Sequence, residues 1–235
     1  MKFFKKKTSF SRILVFIIIL FSTTYAYSTP LEGPTMPKKG HWVTGLQFNN
    51  VTDQDIHYLK GKAESKDYYL NLSYGIFDNL TLDGKLGVGN VSYFRDGAED
   101  LNYSNGFSGG YGLRYKILKE EEHKVTVIVG LHHICVHPHS VSDNEGLNQE
   151  VIWDDWQLDS LVSKTFGKFS PYVGVKVKRA YLLRRVSHNK QRMKSDVEGG
   201  GAVGFDYRFT KSIYLNTEVR FIDEQAYSVG LSYLW

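Results

Sequence analysis

The stretch His132-His133-Ile134-Cys135-Val136-His137-Pro138-His139 gathers four imidazoles and the chain's single cysteine within eight residues. In an extended strand, alternation places His133, Cys135, His137 and His139 on one face, and these are ligand types suited to Zn²⁺ or copper. Their spacing is no standard metal motif, and Pro138 ends regular strand structure. Interfacial and loop histidines are therefore expected, with no metal and no cofactor, and a metal site is the alternative. Asp154-Asp155 follows closely, an acid pair that could activate water with His137 or His139 as base. Ser140 and Ser142 lie near His139 and are nucleophile types. Loop serines near loop histidines are common, and ligand or nucleophile identity alone makes no site. The expectation is a protein that is not an enzyme.

A second group of charged residues sits mid-pattern, where chemistry of another kind follows. Asp83, Lys85, Arg114, Asp159, Lys176, Glu198, Asp206, Arg208, Glu218 and Arg220 each occupy the polar phase of a segment alternating apolar and polar. Five acids balanced by five bases imply a paired network, because unpaired charge is costly wherever water is excluded. The same residues would line a narrow pore if water enters.

The elements that position them are strands. Trp42 to Phe48, Tyr68 to Ile76, Leu80 to Val88, Phe107 to Tyr115 and Val125 to Leu131 alternate with period two. So do Trp156 to Val162, Val173 to Val177, Val203 to Tyr207, Leu215 to Phe221 and Val229 to Trp235. Apolar-out, polar-in alternation over such lengths is the mark of a transmembrane barrel strand. Short turns at 77–79, 118–123, 166–168 and 210–212 alternate with long polar loops at 49–66, 90–105, 136–150 and 184–194, and one short outer turn falls at 223–225. The reading is all-β: a closed antiparallel transmembrane β-barrel of 10 strands, or 8 if a terminal pair is misassigned. Aromatics mark two rims: Tyr68, Tyr69, Tyr93, Phe94, Phe107, Trp153 and Trp156 at one, Trp42, Tyr74, Phe77, Tyr115, Phe166, Phe169, Tyr207 and Phe209 at the other. A lipocalin-like soluble barrel shares the alternation but fits the inward charges and paired rims less well.

Ahead of the strands, Lys2, Lys5, Lys6, Lys7 and Arg12 precede the apolar run Ile13 to Phe21, and a small-residue stretch reaches Ser28. The run is shorter than the roughly 20 residues a bilayer helix needs, so residues 1–28 read as a cleaved secretory signal. Cleavage after Ser28 is favoured over Ala26. Without that segment the 29 basic residues become 24 against 25 acidic, close to −1 and not the formal +4. Nucleic acid thereby loses its compositional support. Residues 29–40 read as a flexible Pro-containing leader and 41–235 as the barrel. With Cys135 alone, no intramolecular disulfide is available to an exported chain.

The C-terminus, Ser228-Val-Gly-Leu-Ser-Tyr-Leu-Trp235, resembles the β-signal read by the barrel-assembly machinery, with Ser228, Gly230, Tyr233 and Trp235 at its positions. More broadly 41–235 resembles the small OmpA-type and opacity-type barrels. That resemblance implies a fold and the outer membrane, with assembly machinery and periplasmic chaperones as biogenesis partners, but no activity. Strand number is also similar to the omptin proteases, whose rim site pairs carboxylates with a His-Asp pair. Their motifs are not matched here, and the chain is short for that family. The expected role is a non-catalytic, surface-exposed scaffold with a packed polar interior. A narrow passive pore is the alternative, and a rim hydrolase, omptin-like or lipid A-modifying, the third reading. Lipids and lipopolysaccharide are the expected surroundings, with Lys60, Lys62, Lys66, Arg184, Arg185, Lys190, Arg192 and Lys194 placed to meet phosphate. A closed barrel has no free edge and requires no oligomer.

Overall fold

The computed structural model describes residues 29–56, 61–95, 100–142, 148–186, 189–194 and 199–235. The expected signal segment, Lys60 and Glu198 lie outside these residues. Among the described residues twelve strands follow in order: β1 Trp42–Ile56, β2 Gly61–Phe77, β3 Leu80–Arg95, β4 Leu101–Glu120, β5 Val125–His137, β6 Val141–Ser142, β7 Asn148–Lys164, β8 Phe169–Val186, β9 Asn189–Lys194, β10 Gly199–Arg208, β11 Ile213–Phe221 and β12 Gln225–Leu234. Ten of them close a ring, β1-β2-β3-β4-β5-β7-β8-β10-β11-β12, all antiparallel. The short β6 and β9 add hairpin strands beside β7 and β8.

Ring closure falls to the two terminal strands. β12 pairs with β1 from Val43↔Leu234 to Asp53↔Gln225. Ser228 and Gly230 point into the barrel, while Tyr233 and Trp235 face outward, 4.8 Å apart between ring centroids. Trp235 Nε1 donates to Thr44 Oγ1 at 3.0 Å, tying the last residue across the seam.

The long polar loops expected at 49–66, 90–105 and 136–150 are mostly ladder. β1 and β2 stay paired out to Ile56↔Gly61, and β3 and β4 out to Tyr93↔Leu101. The reason they read as loops is that their alternation inverts. In the tight-turn half, Leu46, Leu70, Leu86, Leu113, Leu131 and Val175 are exposed on the outside, and polar groups fill the inside. In the long-loop half, Ala63, Val91, Tyr93, Leu101, Tyr103, Val151 and Trp153 turn inward to form one apolar cluster. Lys62, Lys66, Asn102, Ser104 and Glu150 turn outward there. A bulge helps: Gly89 faces Gly106 but Val91 faces Tyr103, so β4 carries one extra residue and its inward phase moves from even to odd numbers.

Aromatic pairs stand outward near both edges of the apolar belt. Trp42–Tyr74 at 4.5 Å and Tyr207–Phe209 at 5.1 Å lie toward the tight turns, and Phe48–Tyr68 at 5.1 Å and Tyr111–Trp156 at 5.8 Å toward the long hairpins. Three residues assigned to the rim that also holds Tyr68 and Trp156, namely Tyr69, Tyr93 and Trp153, are instead buried inside.

Candidate functional site: an occupied lumen

The leader is not a free tether. From His41 at the tight-turn end the chain doubles back, and residues 29–37 run up the middle of the barrel. Backbone donors of an unpaired strand need acceptors wherever water is absent, and inward carboxylates supply them. Thr35 N donates to Asp206 Oδ2 at 2.9 Å, Leu31 N to both oxygens of Glu218 at 3.2 and 3.1 Å, and Thr29 N to Gln157 Oε1 at 2.6 Å. From the opposite wall, Arg114 Nη1 donates to the carbonyls of Glu32, Gly33 and Thr35 at 3.2, 3.1 and 3.3 Å. Its Nε and Nη2 hold Asp83 in a fork, both at 2.8 Å. Lys85 pairs with Glu32 and donates to Gln47 Oε1 at 2.6 Å.

Side chains of the leader fit as closely as its backbone. Leu31 is fully buried among Ile128, Leu161, Tyr172 and Ala202. Gly174 makes the space, since a Cβ there would stand 2.3 Å from Leu31 Cδ2. Gly33 has φ +67°, and a Cβ on it would meet Asn216 Nδ2 and Asp206 Oδ1 at 2.5 Å. Only glycine suits that position.

A second plug enters from the far side. The turn joining β11 to β12, expected as a short outer turn, tucks Asp223 and Glu224 into the lumen, with Ile222 at φ +84° making the bend. Lys176 Nζ lies 3.0 Å from Asp223 and 2.6 Å from Glu224, and Lys178 Nζ lies 3.0 Å from each. Arg220 Nε adds a bond to Glu224 at 2.6 Å, and its Nη2 donates to Asn49 Oδ1 at 2.6 Å. All five charged side chains are buried. Carboxylates removed from water without counter-charge would be costly, and the three cations supply that charge here.

Alternation assigned ten charged residues to the interior. Asp83, Lys85, Arg114, Asp159, Lys176, Asp206, Glu218 and Arg220 all join the lumen network. Arg208 points inward but stays exposed at the tight-turn mouth. Asp67, Asp155 and Lys178 were missed because the expected strands stopped one residue short of them, and Asp223 and Glu224 because 223–225 read as a turn. Continuing the period by two from Tyr69, Gln157 or Lys176 reaches the first three.

The histidine run divides between two sides of the wall. His132 points inward, with Nε2 3.4 Å from Asp159 Oδ2. His133 faces outward and stacks on Trp156 at 4.6 Å, while His137 lies 6.1 Å from Phe107. Cys135 is half-buried on that outer face, and His139 lies beyond β5, its amide bonded to Ser104 O at 3.1 Å. Adjacent strand residues face opposite ways, so Asp154 and Asp155 are split: Asp155 is buried inside, and Asp154 stands outside, 3.5 Å from His133 Nδ1. They do not form an acid pair. Metal-ligating atoms do converge on Glu120, Glu122 and His123. Glu120 there accepts the amides of Glu122 and His123 at 3.0 and 2.9 Å, which holds its carboxyl below the usual range and marks a turn cap.

No family model matches this sequence, and no curated protein matches it. Among solved structures it is similar to the translocator domain of the autotransporter NalP from Neisseria meningitidis, at 11% identity and TM-score 0.47, over 95% of this chain and 94% of that one. It is similar to the outer membrane protein OprG from Pseudomonas aeruginosa, at 13% identity and TM-score 0.44, over 85% and 98%. It is also similar to an outer membrane channel from Pseudomonas putida F1, at 12% identity and TM-score 0.44, over 88% and 98%. No activity follows from likeness at this level.

Proposed function

We propose that the chain is an integral outer-membrane β-barrel, exported by its N-terminal signal, that acts as a non-catalytic, surface-exposed scaffold with a closed interior. Its own strands support the membrane placement: one ring carries an apolar outside in its tight-turn half and a polar outside in its long-loop half. The boundary between them marks a bilayer surface. The hairpins beyond it face the exterior, where Arg185 and Lys62, already paired with Glu150 and Asp53, meet the polar zone of the outer leaflet. The C-terminal seam fits delivery by the barrel-assembly machinery, and the small-barrel resemblance belongs to the same reading.

The observation that carries the closed interior is the leader. It crosses the lumen with its amides and carbonyls bonded to Glu218, Asp206 and Arg114 on different strands. Ions passing that level would have to displace three charge-assisted contacts. Mature protein refolded into planar bilayers, with folding checked by heat-modifiable gel mobility, is expected to give no discrete conductance steps. Reproducible single-channel steps from wild-type protein would replace the scaffold with the narrow pore.

A further inference from the structure

Beneath the leader, the lumen opens at the tight-turn end into a cavity of about 960 Å³ roofed by Pro34, Thr35 and Met36. Its walls carry Lys116 and Lys119 from β4, Lys168 from the β7–β8 turn, Arg208 from the end of β10 and Lys38 from the leader. The side-chain carboxylates of the lining are Asp78 and Asp206, and both are engaged by backbone amides: Asp78 by Lys39 N at 3.1 Å, Asp206 by Thr35 N at 2.9 Å. Lys119 pairs with Glu121. Lys116 and Lys168 donate to the carbonyls of Asp78 and Phe209 at 3.3 and 3.0 Å. Neither they nor Lys38 and Arg208 pair with a carboxylate among the described residues. Such cations around a concave mouth focus a positive potential on its centre.

The rest of the lining suits a polar solute. Thr126, Thr165 and Ser170 present hydroxyls, the last two 3.0 Å apart. The volume is at the upper end of small-molecule sites, which run to roughly 1,000 Å³. An arginine fork and several lysine point charges together match phosphate oxygens. We propose that this vestibule is a binding site for a small, soluble phosphorylated solute, which in the orientation proposed above enters from the periplasm. Only the compartment rests on that orientation; the site is a property of the barrel mouth.

The test uses the mature chain refolded in an uncharged detergent and inorganic pyrophosphate as the probe in calorimetric titration. Saturable binding is expected, weakened by at least about tenfold in a Lys168→Gln/Arg208→Gln variant whose heat-modifiable mobility is unchanged. A Lys62→Gln variant, at the other end of the barrel, is expected to bind like wild type. No saturable heat from wild type, or equal affinity in the mouth variant, overturns the site. The second arm places the barrel in nanodiscs with and without phosphatidylglycerol. If the anionic lipid abolishes pyrophosphate binding through the same two residues, the occupant is a lipid headgroup and the soluble-solute assignment falls. The readout is binding, so loss of the closed-scaffold reading in bilayers and loss of this site are separate results.

Discussion

Arg114 and Asp83 show how much can rest on one pair of side chains. Both are buried, and Arg114 also carries the leader's carbonyls, so its charge has no route to water. Asp83→Asn leaves that guanidinium without a counter-charge and is expected to cost about 3–5 kcal/mol. Glu150→Gln breaks a pair of similar distance, 2.9 Å, but with both partners about half exposed. Solvent screening limits that loss to about 0–1 kcal/mol. Guanidinium titrations of the refolded variants, followed by gel mobility, separate the two. Equal midpoints would mean that water reaches Asp83 and that the lumen is wet at its level. Alternation alone marked Asp83 and Arg114 as inward. What it left out was the leader, since no periodicity in Thr29 to Gly40 shows that its backbone will find Asp206 and Glu218.

Among the elements, the leader and the strand extensions are where the sequence was hardest to read, for different reasons. A segment with prolines at 30, 34 and 37 has no strand pattern and looks like a tether. Inside the barrel, wall side chains stand in for a ladder, accepting from the amides of Thr29, Leu31 and Thr35. The extensions failed in the opposite way: they alternate well, but in inverted phase, so Val91, Tyr93, Leu101 and Tyr103 looked like stray apolar residues in polar loops. If the leader is part of the core, Leu31→Ala leaves a hole among Ile128, Leu161 and Tyr172 and is expected to destabilise the barrel by about 2–5 kcal/mol. Hydrogen exchange should show the Leu31 and Thr35 amides protected like ladder amides in wild type. Fast exchange at both, with no change in the unfolding midpoint on Leu31→Ala, would return the leader to a free tail.

At the scale of the whole molecule, one continuous wall is apolar outside in its tight-turn half and polar outside in its long-loop half. Its four tryptophans sample both sides: Trp42, Trp156 and Trp235 are 42%, 37% and 65% exposed on the outside, whereas Trp153 is 3% exposed inside the extension. Trp153 and Trp156 are three residues apart on β7, so the odd spacing alone sends them to opposite faces. Single-tryptophan variants reconstituted with brominated phospholipids turn this into a measurement, because bromine quenches only indoles it can approach. Trp42 and Trp156 should be quenched most by bromines placed near the glycerol backbone, as expected of rings in opposite interfacial girdles. Trp153 should keep its fluorescence with every bromine position. A soluble barrel would leave all of them unquenched, and a wall turned inside out would quench Trp153 and spare Trp156. Quenching of Trp42 and Trp156 with Trp153 spared requires apolar-out strands below the boundary and apolar-in strands above it, and only a membrane surface between the two halves accounts for both.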